Sequence, residues 1–128
     1  MRDETRIWFN YSEENLQTAR ILLKSRLFNP CLQNVQQCVE KVLKALLIER
    51  SIKLKRTHSI SELKNILFDN GIKVNISDDD CEFLDSIYLP SKYPVSSVLP
   101  YYKPDLAICE KALAIAENIF QFVKNLLK

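Results

Sequence analysis

LAICEKALAIAENIFQFVKNLL, residues 106–127, decides the fold. Within it Leu106, Cys109, Leu113, Ala116, Phe120, Val123 and Leu127 step by three and four residues without a break. That is the period of an α-helix burying one stripe. Pro104 suits the first turn of this helix, where its missing N–H has no intrahelical acceptor to lose. The same step recurs from about Pro30 to Glu49 in Leu32, Val35, Val39, Val42 and Leu46, with Asn29-Pro30 reading as cap plus first turn. Over about residues 4–26, Trp8, Tyr11, Leu16, Ala19, Leu23 and Leu27 fall within one broad arc and predict a third long helix.

Two shorter helices lie between the long ones. Ser59-Ile60-Ser61-Glu62 is a capping box, in which the two side chains satisfy each other's free backbone donors. The helix it opens carries Ile60, Leu63, Ile66 and Leu67 inward and stops at Asp69-Asn70-Gly71, with Gly71 as the left-handed cap. Ser77 followed by Asp78-Asp79-Asp80 opens another, since acidic residues suit a helix N-terminus, and Cys81, Leu84 and Tyr88 mark its inner face. Ile72 to Ile76 alternates like a strand, but a lone strand has no partner to pair with, so it reads as an extended connector. Leu89 to Pro104 reads as one long irregular stretch held by prolines. The prediction is an all-α, antiparallel up-and-down bundle of about five helices, three long and two short, in a single domain over residues 1–128.

Composition then removes whole function classes. The one glycine, Gly71, cannot build a GxGxxG or GxxxxGK[ST] loop, which excludes Rossmann and P-loop nucleotide binding. A formal net charge of +2 is too small for bulk attraction to nucleic acid, so any electrostatic argument rests on local clusters. The charged first residues do not resemble a signal peptide, and no apolar run approaches the ~20 residues of a membrane span. The expectation is a cytoplasmic protein without membrane contact. Cys31, Cys38, Cys81 and Cys109 form no CxxC pair and the chain has one histidine, so no metal site is expected and the thiols read as reduced core residues. No cofactor motif is present.

Three features exceed what a bundle needs. Glu49 to His58 joins the second and third helices and packs Arg50, Lys53, Lys55, Arg56 and the lone His58 into one connector. His58 precedes the capping box, at a helix start whose free N–H groups favour an anion and disfavour imidazolium. A neutral histidine beside Arg56 and Lys55 could act as a base or contact phosphate, although a wet, charged loop explains the same residues. Gln33, Gln36, Gln37, Glu40, Lys41 and Lys44 form the polar side of the long helix, with Glu40 and Lys44 at a favourable i,i+4 spacing, and by spacing alone this is a solvated face. In Tyr88-Leu89-Pro90-Ser91-Lys92-Tyr93-Pro94 a lysine between tyrosines could stack on a base while holding a phosphate, or simply cover the bundle end.

Taken in order, Gln36-Gln37-Cys38-Val39-Glu40-Lys41-Val42-Leu43-Lys44-Ala45-Leu46-Leu47, Arg56-Thr57-His58-Ser59-Ile60-Ser61-Glu62-Leu63 and Tyr88-Leu89-Pro90-Ser91-Lys92-Tyr93-Pro94 resemble the HEPN domain family, from Trp8 to about Leu126. The resemblance implies a homodimeric helical bundle, encoded beside a small nucleotidyltransferase in a two-component module of toxin–antitoxin type. Some members bind nucleotides, and others are metal-independent ribonucleases. The basic cluster beside a helix start in an otherwise near-neutral chain leads to the expectation that Lys55, Arg56 and His58 contact the phosphate of a nucleotide or RNA, with Lys41 and Lys44 as additional cations, while Lys92 and Tyr93 close over the base. The ribonuclease branch carries an arginine and a histidine separated by four to six residues. Here Arg50 and His58 enclose seven residues, Arg56 and His58 only one, and Lys92 replaces the usual arginine of the third motif. A binding module is therefore the first reading. A ribonuclease using His58 as general base with Arg50 or Arg56 as oxyanion stabiliser is an alternative, as is a purely structural interaction module.

Overall fold

A computed structural model describes residues 1–54, 56–92 and 104–128, with the side chains of 89–92 outside that description. Five helices follow in order: α1 Asp3–Lys24, α2 Phe28–Glu49, α3 Ile60–Asp69, α4 Asp78–Lys92 and α5 Leu106–Leu127. No strand occurs among the described residues, and the all-α bundle is as expected. None of the described helices is long and apolar enough to cross a membrane.

The helix signals act where the sequence placed them, with instructive shifts. Ser59 accepts the Glu62 N–H at 3.1 Å, but the box closes through Thr57, which accepts from the Ser59 N–H and donates to the Glu62 carboxylate. Ser77 accepts the Asp80 N–H and opens α4. Gly71 is left-handed at φ +85°, and Ile72 N–H returns to the Leu67 carbonyl in a Schellman closure. α5 is capped by Asp105, which accepts from Ile108 N–H at 2.8 Å, so Pro104 lies before the cap rather than in the first turn. α2 likewise begins earlier, with Leu27 as N-cap. Asn29 and Pro30 lie inside its first turn, where a proline still removes no intrahelical bond. α4 continues through Pro90 to Lys92, so residues 89–92 are helical where an irregular stretch is expected, and residues 93–103 of that stretch lie outside the described residues.

α2 is the central helix. Fourteen of its 22 residues are buried, too many for one stripe, because it packs against all four of the others. α1 folds back along it as an antiparallel hairpin: the Cys31 thiol reaches the Ala19 carbonyl at one end, and Arg2 bonds Glu49, Ile48 and Ser51 at the other. The inward face of α1 is Thr5, Phe9, Ser12, Leu16 and Ala19. This differs from the predicted arc: Tyr11 and Leu27 are exposed, and small polar Ser12 lies inside instead, its hydroxyl donating to the Cys38 carbonyl at 2.7 Å. Phe9 stacks on Phe120 of α5, with ring centroids 5.0 Å apart. α3 and α4 cover the other flank of α2. The connector between them buries Ile72, Val74 and Ile76 alternately, as its pattern predicts.

All four cysteines are free and buried. Burial pushes the thiols of Cys38 and Cys109 up to about 12 and that of Cys81 to about 11, and raises Cys31 as well. They are core side chains in their protonated form.

Candidate nucleotide-binding site

The connector from α2 to α3 is shaped by its own alternation. Ser51 takes a left-handed φ of 59° and turns the chain off α2. Ile52 and Leu54 then pack against the core while Lys53 and Arg56 stay exposed. The chain runs back along α2, and His58 arrives beside Gln36 and Glu40 rather than beside the end of the helix it just left. Gln36 Nε2 donates to the His58 backbone carbonyl at 3.1 Å and fixes this arrival.

The imidazole sits between two elements. Its Nδ1 lies 3.1 Å and 3.3 Å from the two carboxylate oxygens of Glu40 on α2. Its ring stacks on Tyr88 of α4, centroids 4.6 Å apart and planes inclined by 14°. The His58 side chain is nevertheless 57% exposed, whereas that of Glu40 is 4% exposed. Glu40 also accepts from Lys44 Nζ at 3.0 Å and from Gln36 Nε2 at 3.2 Å, and Gln37 donates to Gln36. Gln36, Glu40 and Lys44 thus form a buried polar ladder at i, i+4, i+8.

This overturns the solvated-face reading of α2. None of Gln33, Gln36, Gln37, Glu40, Lys41 and Lys44 is fully exposed, and Gln36, Glu40 and Lys44 are buried. Spacing could not show it, because α1 and the connector both cover that face. Lys44 is paired with Glu40 and lies 5.6 Å from the centre of the Trp8 ring. Lys41 donates to Asn15 and sits over Tyr11. Both lysines face α1 and neither joins the His58 cleft.

The start of α3 also differs from expectation. Its N–H groups are not free for an outside anion, because the Asp85 carboxylate of α4 already takes them. It accepts from Ile60 N–H at 2.6 Å, Ser61 N–H at 3.3 Å and the Ser59 hydroxyl at 3.0 Å. An intramolecular carboxylate thus fills the place where a phosphate was anticipated. What remains is a shallow open cleft of about 190 Å³ lined by His58, Ser59, Asp85 and Tyr88. That is smaller than the roughly 300–1,000 Å³ of pockets that engulf small molecules, and it suits one group of a ligand lying across the surface. A hollow of about 380 Å³ between α1 and α5 is larger, but its Arg20 and Glu117 pair with each other at 3.5 Å and it holds none of the predicted site residues.

Among the predicted residues, Arg56 is exposed two positions before His58. Arg50 is exposed at the far end of α2; ten residues from Glu40 at 1.5 Å each place it roughly 15 Å along the axis from the carboxylate that holds His58. Within this chain Arg50 and His58 do not share a cleft. Lys55, Tyr93 and the Lys92 side chain lie outside the described residues. Among the described residues no metal-binding cluster is found. Sequence reasoning missed Glu40 and Asp85 as partners of the connector; Asp85 carried one signal, an acid between Leu84 and Tyr88 on the inner face of its helix, whereas Glu40 stood among other polar residues and carried none.

Comparison with known proteins agrees with this architecture. ST0689, an archaeal HEPN homologue of known crystal structure, is 30% identical with a TM-score of 0.74 over all of both chains. TT1696 from Thermus thermophilus superposes with a TM-score of 0.77 at 26% identity, covering 97% of this chain and 98% of that one. A protein of Methanocaldococcus jannaschii named "Putative toxin MJ1304" is 26% identical over 136 residues, which span 96% of this chain and 88% of that protein. The sequence profile of the HEPN domain matches residues 5–126, and the chain belongs to the HEPN domain family.

Proposed function

We propose that this chain is the HEPN component of a two-component module of toxin–antitoxin type, acting in the cytoplasm with a small nucleotidyltransferase as partner. In this reading it is a homodimer that binds a nucleotide or RNA through its phosphate and base at the His58 cleft. The observation that carries the binding reading is the His58–Tyr88 stack lining an open cleft, with the exposed Arg56 two residues before His58 in the chain. An aromatic platform next to a cation is what a base and its phosphate engage together. The M. jannaschii relative named as a toxin supports the module, and free, protonated thiols suit a reducing compartment. Exposed Ile7 and Tyr11 on α1 support a protein contact there. Calorimetry with ATP, GTP and short RNA tests the reading: binding is expected and is lost in His58→Ala. Absence of heat at millimolar ligand, with a stable nucleotidyltransferase complex, would leave the purely structural module instead.

A metal-independent ribonuclease is the second reading. It is favoured by His58 Nε2, which no hydrogen bond reaches among the described residues and which is therefore open to act on a ribose hydroxyl. Arg56 would stabilise the developing phosphorane charge, or Arg50 would do so from a second copy. RNA cleavage in EDTA that disappears in His58→Ala is the expected result for this reading; loss of cleavage in EDTA would exclude it.

A further inference from the structure

We propose that Glu40 is a positioning residue that holds the neutral His58 ring in its Nδ1–H tautomer, so that the nitrogen turned to the cleft is a bare Nε2 acceptor. Glu40 is a buried carboxylate whose oxygens already receive a lysine ammonium, from Lys44, and an amide N–H, from Gln36. A carboxylate accepts and does not donate, so the third group against it, His58 Nδ1, must carry the proton. The stack on Tyr88 and the Gln36 bond to the His58 carbonyl keep the ring from turning away. Among the described residues the charged groups at the ring are Glu40 of α2, which is itself paired with Lys44, and Asp85 of α4 across the cleft, while Arg56 is exposed two positions before it in the connector. Asp85 is occupied by the N–H groups of α3, which leaves Glu40 as the acceptor of the ring proton.

The consequence for ligands rests on the nucleic-acid reading above; the tautomer does not. A bare Nε2 cannot donate to a phosphate oxygen, but it accepts from a hydroxyl. His58 then discriminates a ribose 2′-hydroxyl from deoxyribose, and the phosphate falls to Arg56.

Because His58 is the only histidine, a ¹⁵N long-range correlation spectrum of the full chain reads its tautomer without assignment. At a pH where the ring is neutral, the proton is expected on Nδ1. In Glu40→Gln the amide oxygen is claimed by the Lys44 ammonium, which turns the amide N–H₂ toward Nδ1 and moves the ring proton to Nε2. A proton on Nε2 in the parent protein, or a spectrum unchanged by Glu40→Gln in a variant with a native fold by circular dichroism, overturns the proposal. Should Glu40→Gln fail to fold, the parent spectrum alone still decides. The ligand arm compares a single-stranded RNA with DNA of the same sequence. One accepted hydrogen bond corresponds to about fivefold tighter binding of the RNA. Equal affinities in the parent overturn the ribose selection. No affinity for either strand, with the proton on Nδ1, overturns the nucleic-acid reading and upholds the role of Glu40.

Discussion

Lys44 shows how much a residue's meaning depends on its surroundings. At i+4 from Glu40 it has the spacing of a surface pair whose contribution would be a few tenths of a kcal/mol. Inside the protein the same pair is buried, with side chains 8% and 4% exposed. Removing one partner there leaves an uncompensated charge, at a cost of about 3 kcal/mol, whereas removing both is far milder. Lys44→Met is therefore expected to lower the urea-unfolding free energy by about that amount, and Lys44→Met with Glu40→Leu to recover most of it. Equal destabilisation by single and double variants would mean that the charges are not coupled. Asp85 has the complementary role. Because its carboxylate serves two N–H groups and the Ser59 hydroxyl, Asp85→Ala is expected to destabilise by about 2 kcal/mol. It also vacates the start of α3, so the variant should bind inorganic phosphate more tightly than the parent does. Unchanged stability would show that solvent replaces the cap without loss.

At the scale of elements, the helix ends share one device but not one residue. α1, α2 and α3 all close in Schellman motifs, their left-handed positions held by Arg26 at φ 57°, Ser51 at φ 59° and Gly71 at φ 85°. Only the last could be read from sequence, because only glycine announces that conformation. The other two ends are held by packing of the flanking helices, which overrides a local preference of roughly 1–2 kcal/mol. Arg26→Gly is expected to raise stability by about 0.5 kcal/mol, after the unfolded chain's greater freedom is subtracted. Gly71→Ala is expected to lower it by about 1 kcal/mol, although a Cβ there would meet no atom within 4 Å. Thermal unfolding of the two variants should move in opposite directions. Movement of both in the same direction would show that conformational strain is not what these positions share. Ser51→Gly is a poorer test, since its hydroxyl also receives the Arg2 guanidinium.

For the whole molecule, the buried thiols set a pH limit. In the unfolded chain each ionises near its ordinary value of 9.0, while Cys38 and Cys109 in the folded protein keep their protons up to about 12. Between those values the native state binds more protons than the unfolded state, so stability falls as pH rises. Below 9 that contribution is complete and constant. Urea midpoints are expected to be flat in this respect near neutrality and to drop steadily above about pH 9. Replacing Cys38 by Ala should lessen the alkaline slope. For the same reason iodoacetamide should leave the native chain unmodified at neutral pH and label it only after unfolding. Rapid labelling of the native protein would contradict the burial of these thiols.

The sequence by itself determined the helices. Leu106 to Leu127 and Leu32 to Leu46 could be assigned because a helical stripe is a local pattern, and so could the Ser59 and Ser77 starts and the Gly71 stop, since capping is settled within four residues. The lone His58 and its basic connector were likewise visible as a candidate site. What only the tertiary structure decided is which polar groups meet. Glu40 is 18 residues from His58 and Asp85 is 24 from Ser61, and no local rule reports that distant acids will claim an imidazole and a helix start. The same packing carried Gln36, Glu40 and Lys44 from an expected wet face into the interior. It also set Arg50 and His58 apart, since the connector runs back along α2 instead of ending where it began.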